Sequence, residues 1–300
     1  MQDLLFIYNP HSGKGMVKEY LSDIIDQFVK AGYQVGVYPT QGKLDATEQV
    51  IHCSSHYNMI VCSGGDGTLN EVVSGIMELK CKPVIGYIPA GSTNDFANSI
   101  RLPKDMKEAA KIAVSGIPIS VDIGLFNKKY FTYIAGFGAF TEVSYMTPQE
   151  MKNILGHQAY LLKAARQLTS LRAYHMKVTY DTGELEGDFI YGMVTNSISV
   201  GGMKRLTGKN VVLDDGLFEV TLVRQPKNPM DIQMIMSSLI GFDIKTDAVY
   251  SFKTSKIEFQ SDEKVQWVLD GEYGGAPKKV KIENINKAIR IMSGISKKTD

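Results

Sequence analysis

Cysteine is scarce in this chain, three in 300 residues, at positions 53, 62 and 81. Such a set builds no paired disulfide framework. It also gives the His52/His56 pair no second ligand pair for zinc, so reduced thiols in a cytoplasmic setting are expected. An excess of charge of one sign is missing too: 33 basic against 32 acidic residues leave a net charge of +1. That field is too weak to draw the chain to nucleic acid. No apolar run reaches the ~18 residues needed to cross a bilayer. The opening run Leu4-Leu5-Phe6-Ile7-Tyr8 lacks the basic flank and cleavage site of a leader, so a protein neither secreted nor integral is expected. Internal repeats and low-complexity linkers do not stand out. With 44 % hydrophobic residues, the chain has the material for a large core and the length for two domains.

Residues 1–125 alternate short apolar runs with helical periodicity. Strands are expected at 4–8, 34–38, 59–62 and 84–88, and helices at 17–31, at 44–52 and after Thr68. This is the rhythm of an α/β domain with a parallel sheet. From 126 to 285 the pattern changes to alternating aromatic and β-branched runs, at 130–135, 176–180, 189–195, 218–223, 257–259 and 265–269. A β-rich second domain is expected there, interrupted by helices at 158–174 and 229–240. The last strand, 288–292, suits either domain.

The run Gly64-Gly65-Asp66-Gly67-Thr68 follows the apolar stretch 59–62. Three glycines let main-chain N–H groups approach phosphate oxygens, with positive φ expected among them. A carboxylate beside a polyanion calls for a divalent cation between the two, so Asp66 points to a metal–nucleotide site. Thr68 and Glu71 have the spacing of a capping box for the helix that follows, through Leu69, Asn70, Val72 and Val73. Two other phosphate motifs fail on spacing. The dinucleotide fingerprint would need glycine at Asn70, and the Walker pattern fails around Gly13-Lys14.

Further polar loops occupy other strand ends. Asn9-Pro10-His11-Ser12-Gly13 offers amide, hydroxyl and backbone donors, although an ordinary turn explains it equally well. Gly91-Ser92-Thr93-Asn94-Asp95-Phe96 pairs a short polar loop with an acid, and an Asx-type cap would also account for it. Asp214-Asp215-Gly216-Leu217 suits either a turn or a hard cation. Asp270-Gly271-Glu272 suits either a hairpin turn or a general base. In an open parallel sheet the loops at Asn9, Thr40, Gly64 and Ser92 fall along one edge.

Taken in order, these motifs resemble those of the soluble bacterial lipid kinases in the diacylglycerol kinase and sphingosine kinase superfamily, essentially end to end. The resemblance implies a phosphofructokinase- or NAD kinase-like α/β domain and a C-terminal β-sandwich, with residues 286–300 returning to the first domain. It implies ATP contacts from Asn9, Pro10, Ser12, Gly13, Thr40, Gly64, Gly65, Asp66, Gly67, Thr68, Leu69, Asn70 and Ser92. A Mg²⁺ would be held by Asp215 with the carbonyls of Val212 and Leu217, joined by Asp66 and Asp95. Glu272 would be the general base toward a lipid hydroxyl, most naturally that of diacylglycerol, yielding phosphatidic acid. The stretch 196–202 only loosely matches the family's Asn-to-Gly segment. A stripe of Leu161, Ala164, Ala165, Leu168 and Leu171 beside Lys163, Arg166 and Arg172 suits either core or peripheral contact with an anionic membrane. Open edges of the β-rich half leave a homodimer possible. The competing readings are a NAD kinase, which shares the glycine-rich loop, and a non-catalytic nucleotide or lipid sensor, to which the acids at 66, 95, 215 and 272 would be superfluous.

Overall fold

Parallel strands covered on both faces must be apolar at nearly every position, whereas an edge strand alternates. The computed structural model, which describes residues 2–53, 56–138, 171–200, 211–228, 230–232, 234–235 and 246–295, follows this rule. β1 (Gln2–Tyr8), β3 (Met59–Gly64) and β4 (Val84–Pro89) are almost continuously buried, and β2 (Tyr33–Pro39), at the edge, has no fully buried residue and exposes Gln34 and Val37. The parallel order is β2-β1-β3-β4. Leu4 and Phe6 pack with Ile24 and Phe28 of α1 (Met16–Lys30) and with the alanines of α5 (Met106–Ser115). On the other face, Leu5 and Ile7 pack with Val50 of α2 (Asp45–Cys53) and with Leu69, Val72 and Ile76 of α3 (Asp66–Met77). A short helix, α4 (Asp95–Ser99), follows the loop after β4.

The second half is antiparallel. It comprises β5 (Ile117–Phe126), β6 (Lys129–Phe131), β7 (Ile134–Gly138), β8 (Tyr174–Tyr180), β9 (Gly183–Thr195), β10 (Phe218–Arg224), β11 (Val249–Thr254), β12 (Lys256–Ser261), β13 (Trp267–Leu269), β14 (Glu272–Gly275) and β15 (Lys279–Ser293). Its core gathers around Trp267, which meets Phe126, Phe137 and Phe259 at ring-centroid distances of 5.2, 4.9 and 5.0 Å. β15 runs beside β5 along most of its length, with a break between Ile285 and Ile289. Before the break Ile282 pairs with Phe126 and packs in the Trp267 core. After it, Ile291 joins β4 in parallel and packs in the core of the first sheet. One strand therefore extends both halves.

Some sequence expectations are corrected. The run 130–135 is two strands, because Thr132 and Tyr133 donate their N–H groups to Asp270 and leave the ladder. Tyr174 opens β8, so the helix expected at 158–174 cannot extend that far. Its residues 158–170, and with them most of the apolar stripe, lie outside the described residues. Leu171 is half-buried against the Ile190/Tyr191 cluster, and Arg172 ion-pairs with Glu263. Of 229–240, residues 230–232, 234 and 235 are helical. Among the described residues no helix is long and apolar enough to cross a membrane.

Leu44 carries local strain. Its φ is +67°, a region that costs non-glycine residues about 1–2 kcal/mol, and its side chain is exposed. Its N–H is held by Glu71 Oε1 at 2.9 Å. Leu44→Gly removes the strain, and the looser unfolded chain offsets part of the gain. A net stabilisation of about 0.5–1 kcal/mol in urea unfolding is expected; a lower midpoint would place the strain elsewhere.

Candidate active site

Because β1 to β4 are parallel, the loops that follow them share the C-terminal edge of the sheet, where open α/β sheets bind ligands. The loop after β1 is pinned there by Asn9, whose N–H donates to Ser63 O at 2.9 Å and whose side-chain oxygen accepts from His11 N at 2.9 Å. Pro10 lies in that turn, and Ser12 and Gly13 begin a short 3-10 turn, Ser12–Gly15. Gly13 has φ +56°, and a Cβ there would come within 2.4 Å of Ala90 O, so no other residue fits. Thr40, buried after β2, donates its N–H to Tyr8 O at 2.9 Å.

The glycine-rich loop works differently from its sequence expectation. None of Gly64, Gly65 and Gly67 has positive φ. They serve close approach instead: a Cβ on Gly64 would collide with Thr68, and one on Gly91 would come 2.7 Å from Gly65 Cα. The loops after β3 and β4 thus touch backbone to backbone. A Cβ at Gly67 would meet nothing within 4 Å, so open space lies in front of the first turn of α3. The Thr68/Glu71 capping box does not form. The helix starts at Asp66 with Gly65 as its cap, and Glu71 binds Leu44 instead. Thr68 Oγ1 accepts from Asn9 Nδ2 at 3.5 Å, while Leu69 is core.

Asp66 and Asp95 come together. Asp66 Oδ2 accepts from Asp95 N at 3.2 Å and Thr93 Oγ1 at 3.5 Å, while its Oδ1 is buried without a partner. Burial, then the charge of Asp95, pushes the Asp66 carboxyl up to about 6. An orphaned, buried carboxylate oxygen is the kind of donor a hard cation takes. Asp95 Oδ1 accepts from Ser199 Oγ at 2.9 Å. Ser92 is exposed on a loop closed by Asn94, whose side-chain oxygen and nitrogen both bond Gly91 at 2.8 Å.

The second half closes over this edge at two points. Asn70 Nδ2 donates to Asp270 Oδ2 at 2.7 Å, and Lys43, in the loop after β2, reaches Glu272 Oε2 at 3.7 Å. Asp270 and Gly271 have φ of +49° and +87°, which makes the tight turn between β13 and β14. Glu272 is thereby carried on a hairpin beside the loop after β2, with its carboxylate exposed.

The 214–217 turn sits elsewhere in this arrangement. Asp215 Oδ1 accepts from Leu217 N at 3.0 Å, and its Oδ2 lies 3.2 Å from Lys253, which also pairs with Glu219 at 2.9 Å. Burial raises the Glu219 carboxyl to about 7, against the pull of Lys253. Val212 is half-exposed at the start of the turn. A cation held by Asp215 and the carbonyls of Val212 and Leu217 would therefore compete with Lys253, whereas Asp66 is a carboxylate short of a partner.

Sequence reasoning missed Asp122, fully buried in β5, which accepts from Gly216 N (2.7 Å), Asn286 Nδ2 (2.9 Å) and Lys287 N (2.6 Å). It holds the 214–217 turn onto β15. The signal was present: a lone carboxylate inside an apolar strand is rarely buried without a task. Asn196 was noticed only as part of a loose motif, yet its side-chain nitrogen ties Asp122 O to Leu213 O, at 3.1 Å each.

Polar loops along one edge of a parallel sheet, a buried pair of carboxylates and an exposed acid carried by the β-rich half fit a two-domain phosphotransferase. The comparisons agree. The profile of the diacylglycerol kinase catalytic domain matches residues 3–126, and that of the YegS C-terminal NAD kinase beta sandwich-like domain matches residues 135–293. A diacylglycerol kinase of Bacillus subtilis is 35 % identical over 92 % of this chain and 91 % of its own. One from Staphylococcus aureus is 36 % identical over 90 % of this chain and 85 % of its own. A crystal structure of a diacylglycerol kinase from Bacillus anthracis shares the fold, with a TM-score of 0.77 at 23 % identity over 98 % of this chain and 97 % of that one. The chain belongs to the diacylglycerol kinase family, phosphotransferases with an alcohol group as acceptor.

Proposed function

We propose that this chain transfers the γ-phosphate of ATP to the hydroxyl of a membrane lipid, with diacylglycerol as acceptor and phosphatidic acid as product. The observation that carries the reading is the pair of contacts, Asn70 to Asp270 and Lys43 to Glu272, that set an exposed carboxylate over the phosphate-loop edge. Backbone N–H groups of the loops at 12–13 and 64–68 would receive the phosphates, and the open space before Gly67 leaves room for them. Glu272 would take the proton of the acceptor hydroxyl as that oxygen attacks the γ-phosphorus and the ADP oxygen leaves. Lys43 would hold the Glu272 carboxylate toward the loop after β2. Asp66, with Asp95 beside it, would hold a Mg²⁺ that neutralises charge on the transferring group when bound. Asp215 would take a cation only by exchanging Lys253 for it. The acceptor brings the protein to a membrane surface without a spanning segment.

The test is transfer of labelled γ-phosphate with Mg²⁺ to diacylglycerol in mixed micelles, with phosphatidylglycerol, sphingosine, ceramide and NAD in parallel. Labelling of diacylglycerol, reduced about 10²-fold in Glu272→Gln with ATP binding kept, is expected. Labelling of NAD alone would make this a dinucleotide kinase. ATP binding with no acceptor labelled would make it a sensor.

A further inference from the structure

A tight turn with two left-handed central residues needs only Asn-Gly or Asp-Gly, and in an ordinary hairpin the first side chain faces water. Asp270 does not. It is 4 % exposed, and five donors converge on it: Thr132 N at 2.6 Å, Thr132 Oγ1 at 2.8 Å, Tyr133 N and Ile134 N at 3.0 Å, and Asn70 Nδ2 at 2.7 Å. Three come from consecutive backbone amides that join β6 to the first residue of β7, and one from the second turn of α3. The same Asn70 amide also donates to Tyr130 O at 3.1 Å.

From this convergence we infer that Asp270 is a positioning residue: through Asn70 it fixes the turn bearing Glu272 against the helix whose N-terminus carries the phosphate loop. The inference rests on the kinase reading. Glu272 follows Asp270 by two residues, and Asp66 precedes Asn70 by four on the same helix. α3 cannot slide relative to the Glu272 turn without breaking a charge-assisted bond inside a buried cluster. The two reacting ends of the site therefore share one mechanical reference. A displacement of about 1 Å at such a site costs about 10²-fold in rate.

The experiment is steady-state phosphorylation of diacylglycerol micelles by Asn70→Ser, Asp270→Asn and the double variant. Each single substitution is expected to lower kcat about 10²-fold, with KM for ATP changed less than about threefold. The double should be no slower than the worse single, because both remove the same link. Losses that multiply in the double, or that fall wholly on KM, overturn the inference. Amide hydrogen exchange with a non-hydrolysable ATP analogue gives a second readout that needs no acceptor. In the parent, the analogue should slow exchange at 132–134 and 271–273, and in Asn70→Ser that response should vanish. An equal response in Asn70→Ser refutes the coupling and leaves the kinase reading standing. A parent that labels no lipid refutes the kinase reading, while the exchange result still decides the coupling. Should Asp270→Asn fail to fold, Asn70→Ser alone carries both readouts.

Discussion

Asp66→Asn is expected to lose about 10³-fold in kcat for phosphoryl transfer, and yet to melt higher than the parent in metal-free buffer at neutral pH. Both effects come from one atom. Asp66 Oδ1 is buried with no hydrogen-bond donor, and Asp95 adds a second negative charge beside it. The folded protein holds the Asp66 proton up to a pH of about 6, whereas an ordinary aspartate releases it near 3.8. Between those values the folded state binds more protons than the unfolded one, so stability falls as pH rises through the window and stays low above it. A shift of this size is worth on the order of 3 kcal/mol. Asparagine has no charge to bury, so this pH-dependent contribution is absent from the variant. The gap between variant and parent should therefore open from pH 4 to pH 6 in EDTA and narrow when Mg²⁺ is added. Equal melting at pH 7 without metal, or retained turnover, would remove Asp66 from the cation's reach.

Asp270→Ala should be the most destabilising single change near the cleft, by on the order of 4 kcal/mol. It strands the backbone N–H groups of Thr132 and Tyr133, which have left the strand ladder to reach this carboxylate, and that of Ile134 at the start of β7. It also places alanine at φ +49°. The chain provides its own reporter. Trp267 is the sole tryptophan, fully buried at the start of β13, three residues before the turn. Urea unfolding followed by its fluorescence should show the midpoint fall, with Asp270→Asn losing roughly half as much because one side-chain oxygen remains. A loss below about 1 kcal/mol would mean that water reaches these amides and replaces the carboxylate.

The sequence announces the parallel sheet plainly, because buried parallel strands and the loops between them obey short-range rules. Val61 and Cys62 have to be apolar, and Gly64 and Gly91 have to be small. What it hides is long-range. Of the glycines read as flexible, Gly64 and Gly65 are extended and closely approached by Thr68 and by Gly91 of the neighbouring loop, a distinction that local composition does not set. The Thr68/Glu71 spacing fits a capping box, but Glu71 is claimed by a strained loop 27 residues earlier. Asp270 reads as half of a turn, and its partners lie between 136 and 200 residues away. Lys253 beside Asp215 comes from an antiparallel pairing that no local pattern specifies. The polar loops at the sheet edge are legible because their composition is local, while the buried carboxylates that brace them are not.

The course of β15 bears on how the protein is made. Its last residues pair with β4 and with β5, so the parallel sheet keeps an open edge until residue 291 has been synthesised. During translation the first sheet therefore waits, with Ile85 lacking its β15 partner, for a strand made only after the antiparallel half. Pairings so distant in sequence form slowly, and an uncovered strand edge invites association with other chains. Newly made protein is thus exposed to aggregation for as long as β4 waits for β15.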